Sequence, residues 1–113
     1  MHDATPATLS DLSSSFLLGE QDLGMRRDAF ASEWLSPLNP NVRVRSAAAQ
    51  ITDAKCVAGY SVVVAIDRPM EEVLALNRWV RAAGGRLVCA DTRGLFGRVF
   101  CDFGDDFEVT DPD

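Results

Sequence analysis

Asp67 closes the apolar run "YSVVVAID", Asp91 and Asp102 flank the segment "TRGLFGRVFC", and thiols stand at Cys56, Cys89 and Cys101. These are the side chains whose type and placement could do chemistry. A carboxylate at the end of a buried strand can hold Mg²⁺ or a ribose, because open α/β sheets bind ligands at the carboxyl ends of their strands. The competing role for Asp67 is to cap the helix that follows it. We favour the cap, since Asp is a common choice at helix starts. Asp91 and Asp102 read as turn acceptors rather than catalytic acids.

Other chemistries lack their parts. A single histidine, His2, gives no Ser-His-Asp constellation. The cysteines form no Cys-x-x-Cys pair, and a structural zinc site needs about four N/S ligands at recognisable spacing. No His neighbours a thiol in sequence to activate it, so inert burial in a reducing compartment is expected. Trp34 and Trp79 sit among apolar residues on predicted helices, which favours packing over ligand stacking. A nucleotide site would need a glycine-rich turn opening a helix N-terminus, and no G-x-G-x-x-G occurs in the 113 residues. "RGLFG" (Arg93 to Gly97) has two glycines but leads into a strand.

The elements that must position these residues follow from periodicity. "YSVVVAID" reads as a strand buried on both faces. The helix after it, "RPMEEVLALNRWVRAAGG", puts Val73, Leu76, Val80 and Ala83 on one face, Pro69 and two Glu in its first turn, and Gly84 and Gly85 at its end. "RLVCADT" is the second buried strand, giving a parallel βαβ unit. A glycine-punctuated hairpin then leaves the carboxyl end of that strand. Upstream, Phe30, Trp34 and Leu38 fall at helical spacing until Pro37 and "LNPN" stop the helix, and Val42 to Ser46 ("VRVRS") alternates like a strand with one wet face. Residues 1–20 open without a strand of their own, and "DLSSSF" is a loop or a helix start. The acidic end, with Asp105, Asp106, Glu108, Asp111 and Asp113, reads as a solvated strand end.

Composition sets outer bounds. The chain is one small domain, 1–113, with 47% hydrophobic and 25% charged residues, the balance of a folded soluble protein. A net charge of −6 argues against nucleic-acid partners. Arg43 and Arg45, or Arg26 and Arg27, form no basic stripe. No apolar run reaches membrane-spanning length, so no membrane partner is expected.

Three motifs resemble one family. "HDATPATLSDLSSSF" (His2 to Phe16) is similar to a second strand and following loop in the first, non-catalytic adenylation half of ubiquitin-activating enzymes, within the ThiF/MoeB superfamily. "LLGEQDLGMRRDA" (Leu17 to Ala29) resembles the next segment of that half. "ADTRGLFGRVFCDFG" (Ala90 to Gly104) is close to the ubiquitin-type form of its hairpin, and the resemblance covers essentially the whole chain.

The resemblance implies an incomplete α/β Rossmann-type (ThiF-like) parallel sheet with flanking helices and a C-terminal β-hairpin. A strand and glycine-loop helix would precede Met1, and a fragment is favoured over a subunit completed by another chain. In catalytic halves an Arg and a Lys contact the ATP phosphates. Ser14 and Met25 stand at those positions here, and a hydroxyl and a thioether cannot stabilise a triphosphate. Asp67 falls where the active half holds Mg²⁺, a vestigial position. None of the three cysteines matches the thioester cysteine. The implied partners are the active adenylation half and ubiquitin or a ubiquitin-like protein, in cytoplasm and nucleus. ATP and Mg²⁺ would be bound by the complete enzyme and not by this chain alone. The alternatives are a regulatory subunit of a SUMO- or NEDD8-activating heterodimer and a small ThiF-type adenylyltransferase in its own right.

Overall fold

A computed structural model describes residues 1–111, so Asp113 of the acidic end lies outside the described residues. Contacts divide the chain into two compact units, Met1–Gln50 and Ile51–Asp113.

The first unit is helical and irregular. Helix α1, Leu9–Leu12, is a single turn started by Thr8, whose N–H and hydroxyl both donate to Asp11 Oδ2 at 2.7 Å. Helix α2 spans Arg27–Leu35 and tightens into a 3₁₀ turn at Ser36–Leu38, where Pro37 ends it. Phe30 is buried on α2, while Trp34 and Leu38 are mostly exposed, so the expected apolar face is buried at one position only. The N-terminal segment runs beside the start of α2 as a single Pro6–Arg26 bridge rather than the second strand implied by resemblance. Ala7 N–H donates to Met25 O at 2.7 Å and Arg27 N–H to Thr5 O at 3.1 Å.

Val42–Ser46 is not a strand. Alternation gives it a strand's pattern, but no neighbouring strand supplies a ladder. The Met1 ammonium donates to Arg45 O at 2.7 Å, and Ala47 N–H donates to Met1 O at 2.8 Å.

The second unit is α/β. Strand β1 (Val62–Ile66), helix α3 (Met70–Ala82), strand β2 (Arg86–Arg93) and strand β3 (Phe96–Asp102) form a sheet in the order β1-β2-β3 with α3 packed on it. β1 and β2 pair in parallel from Val62–Arg86 to Ile66–Ala90, and β3 returns antiparallel, Leu87 facing Asp102 and Arg93 facing Phe96. Gly94, at φ 61°, is the first of two loop residues, and Leu95 keeps a negative φ, which suits the II′ hairpin turn.

The core lies between α3 and one face of the sheet. Val73 and Val80 of α3 bury against Ala65, Leu87 and Cys89, flanked by Val63, Leu76 and Trp79. Gly84, at φ 71°, releases the chain from α3, and a Cβ on Gly85 would sit 3.0 Å from Tyr60 O. Only one face of β1 is covered, contrary to the expected double burial. Val62, Val64 and Ile66, on the face away from α3, are 49%, 58% and 63% exposed, and Val99 of β3 joins them at 71%. One crossover helix shields one face, and alternation sends every second side chain to the other. Among the described residues no helix is long and apolar enough to cross a membrane.

Candidate functional site

The carboxyl ends of β1 and β2 carry Asp67 and Asp91, whereas Asp102 lies at the other end of the sheet, opposite Leu87. Asp67 leaves β1 at φ 49°, a left-handed conformation that Asp tolerates better than most L-residues. Its N–H donates to Ala90 O at 2.9 Å. Asp67 does not cap α3: the cap residue is Pro69, and no side chain fills that role. Instead Asp67 Oδ1 accepts the Thr92 N–H at 2.7 Å, and the Thr92 hydroxyl donates to the same carboxylate at 3.3–3.4 Å. The strand register brings Thr92 alongside, so a lateral bond replaces the forward one.

Asp91 is also no turn acceptor. Its side chain is only 6% exposed and its Oδ2 pairs with Arg98 across the hairpin, while Oδ1 is shielded and has no donor. Arg98 is held in its charged form first by that hydrogen bond. Asp102 accepts the Gly104 N–H at 3.0 Å, as a turn acceptor should, and also receives Asn77 Nδ2 and Arg81 Nη1 of α3, both at 2.8 Å. The Asn77 bond, then the Gly104 amide and Arg81, hold its carboxyl below the ordinary carboxylate range.

Beside Asp91 lies an open cavity of about 370 Å³ bounded by Arg68, Met70, Arg93, Phe96 and Arg98. Arg68 donates to Glu72 one turn along α3, and Arg93 has no polar partner among the described residues. The thiols divide. Cys89 is buried in the core, as expected; Cys56 is half-buried, its Sγ 3.6 Å from Asp53 Oδ1; Cys101 is exposed on β3.

In the first unit, Ser14 and Met25 are both exposed, with the Ser14 hydroxyl donating to Asp11 O at 3.4 Å. Ser14 borders a cavity of about 350 Å³ with Asp3, Asp11, Leu18, Arg27 and Phe30. The two arginines after Met25 are committed to carboxylates. Arg26 donates to both oxygens of Asp28 at 2.8 and 3.0 Å, and Arg27 to Asp3 at 2.7 Å and Asp11 at 3.0 Å. The Asp28 side chain is fully shielded and also accepts the Asp3 N–H at 3.0 Å. Its carboxyl is held far below the ordinary range, first by Arg26 and then by the Asp3 amide, with desolvation opposing. Sequence reasoning missed this buried ion pair; the adjacent "RRD" was its one signal, and it reads equally as a solvated helix start.

Ser14 and Met25 are uncharged, and Arg26 and Arg27 are paired with carboxylates; in the second unit the Asp67 carboxylate accepts from Thr92. Among the described residues no cluster of three or more His, Cys, Asp or Glu side chains could hold a metal ion.

No family model matches the chain. Curated proteins do. The chain is 39% identical over 111 residues to ubiquitin-like modifier-activating enzyme 1 of Homo sapiens, covering 98% of this chain and 10% of that protein. It is 41% identical over 112 residues to ubiquitin-like modifier-activating enzyme 7 of Homo sapiens, 99% of this chain and 11% of that protein. Against ubiquitin-activating enzyme E1 1 of Arabidopsis thaliana it is 37% identical over 115 residues, 100% of this chain and 11% of the other. The chain thus spans about a tenth of the length of the curated relatives it matches. Those relatives are ubiquitin-like modifier-activating enzymes, similar to it along its whole length.

Proposed function

We propose that the chain is a segment of the first, non-catalytic adenylation half of a ubiquitin-like modifier-activating enzyme, on a ThiF-type scaffold. Its work is mechanical: to pack against the active half and shape that half's ATP and modifier site. The parent enzyme would bind ATP and Mg²⁺ and activate ubiquitin or a ubiquitin-like protein in cytoplasm and nucleus.

One observation carries the non-catalytic part. Where the resemblance expects phosphate-binding cations, the chain has Ser14 and Met25, and the neighbouring Arg26 and Arg27 already serve Asp28, Asp3 and Asp11. Phosphoryl and adenylyl transfer depend on preorganised positive groups around the phosphates, worth several kcal/mol. Redirecting Arg26 would leave the shielded Asp28 carboxylate without its ion-pair partner, and redirecting Arg27 would break its pairs with Asp3 and Asp11. The similarity along nearly the full chain supports the family.

Two measurements test the reading. Exchanging this chain for the matching 111-residue segment of ubiquitin-like modifier-activating enzyme 1 should preserve ATP-dependent ubiquitin thioester formation by that enzyme. The 113-residue chain alone should show no ATP–pyrophosphate exchange above background. A chimaera that folds but forms no thioester, or clear exchange by the chain alone, sinks the proposal.

A further inference from the structure

We infer that residues 103–109 form a strap that opens and closes over one end of the sheet, covering or baring the Arg86 guanidinium as it moves. The device goes beyond the supporting role proposed above and does not rest on it.

The segment touches both faces of the second unit through side chains two positions apart. Asp105 accepts a hydrogen bond from Arg81 Nη2, near the end of α3. Phe107 lies against Arg86, the first residue of β2, with Cζ 5.2 Å from the ring centroid. Leu87 belongs to the core beneath α3, so alternation sends Arg86 to the opposite face. The strap therefore passes from the helix layer round the starting end of β2 to the open side of the sheet. Gly104, at φ 87°, makes the turn out of β3, and its N–H donates to Asp102 Oδ1. Phe103 and Phe107 then pack on each other with centroids 4.7 Å apart.

The contacts that hold it are weak. Asp105 is 84% exposed and Arg81 41%, so their ion pair sits largely in water, where such pairs contribute little and salt screens them. No backbone N–H of residues 105–109 meets a carbonyl among the described residues. Segments with few backbone bonds and little buried surface open far more easily than the whole domain unfolds.

A second, independent observation opposes closure. Arg86 Nε is shielded from solvent, and no acceptor meets it among the described residues. A donor buried without an acceptor is a standing penalty on the closed arrangement. The Phe107 ring rests on the same guanidinium, so lifting the ring lets water reach that nitrogen. Ring packing and cation–π attraction favour closure, and the unmet donor favours opening. With opposed contributions of similar size, a change at Arg81 or Asp105 shifts the populations. Opening also extends the open face, because Arg86 pairs with Val62 on β1.

The test follows the Arg86 Nε–H in the ¹⁵N-labelled 113-residue chain through its exchange with water. Exchange should be about threefold faster in Asp105→Asn, the scale of a solvated ion pair. In Phe107→Ala it should be about tenfold faster, the scale of a lost aromatic pair and cation–π contact. Raising sodium chloride from about 0.01 M to about 1 M should speed exchange in the wild type and leave Asp105→Asn unchanged, since no pair remains to be screened. The amides of Val80, Leu87 and Cys89 should keep their protection throughout. Exchange insensitive to both substitutions, or rising only together with those core amides, would overturn the inference and make the segment a fixed part of the fold. A wild-type Arg86 Nε–H that exchanges as fast as in unfolded chain would overturn it as well, because the strap would then never close.

Discussion

Asp67 and Thr92 tie the ends of two parallel strands together: the Asp67 carboxylate accepts the Thr92 N–H at 2.7 Å from a residue that itself sits at φ 49°. The bond joins the place where β1 stops to the place where the hairpin departs, next to Arg68 and Arg93, which line one cavity.

Replacing Asp67 separates the bond from the backbone. Asp67→Ala removes the acceptor and places alanine in a left-handed conformation, a loss of about 2 kcal/mol from the two effects together. Asp67→Asn keeps an acceptor and tolerates the conformation, and should cost about 0.5 kcal/mol or less. Urea unfolding followed by Trp79 fluorescence in a Trp34→Phe background reads the difference. Equal stability of the two variants would mean the tie contributes nothing.

The roles of Asp67 and Asp28 also show where sequence stops being sufficient. β1, α3, β2 and the hairpin were legible because local signals agreed: a five-residue Val/Ala/Ile run, Pro69 and two Glu at a helix start, Gly84 at its end and Gly94 in a two-residue turn. A carboxylate after a strand can bond forward to a helix or sideways to a neighbour. Only the register that pairs Ile66 with Ala90, and so brings Thr92 alongside, decides between them. Val42–Ser46 carries a strand's alternation, but a strand needs a partner, and pairing is non-local. Asp28 looks solvated beside two arginines until the N-terminal segment, through Asp3, closes over it.

The Arg26–Asp28 pair should set the acid limit of the first unit. Arg26 holds the Asp28 carboxyl far below its ordinary value of 3.8, and the Thr8 amide and hydroxyl lower that of Asp11. Lowered folded-state values mean that the unfolded chain binds protons more readily. Stability from these groups is therefore complete above about pH 5, and is lost as pH falls through the ordinary carboxylate range toward the folded values. Arg26→Ala strands Asp28 with backbone donors alone and should destabilise the first unit, with a flatter acid profile. Trp34 fluorescence in a Trp79→Phe background, recorded against urea from pH 7 to pH 3, checks both. A wild-type profile flat over that range would refute the assignment.

Asp102 joins α3 to the far edge of the sheet, and its partners contribute unequally. Asp102→Ala leaves the Asn77 amide without its acceptor and should lower the melting temperature. Arg81→Ala removes an ion pair whose guanidinium is partly solvated and should destabilise less than Asp102→Ala. Single and double substitutions, compared by thermal denaturation, should give a non-additive cycle because the two share one carboxylate. Strict additivity would show that Arg81 and Asp102 are independent in solution.

The face of the sheet turned away from α3 should make the chain self-associate. Val62, Val64 and Ile66 lie along it, Val64 pairs with Val88 on β2, and Val99 extends the strip to β3. No Lys, Pro or acidic residue interrupts β1, and its outer edge pairs with no strand among the described residues, so neither of the usual protections against edge pairing is present. Sedimentation should give a mass that rises with concentration, and a dye that reports apolar surface should bind. Val64→Lys, at a position 58% exposed, should shift the distribution to monomer and change the unfolding free energy by no more than about 0.5 kcal/mol. A sharp, concentration-independent melt of a wild-type monomer would show that water alone is tolerated on that face.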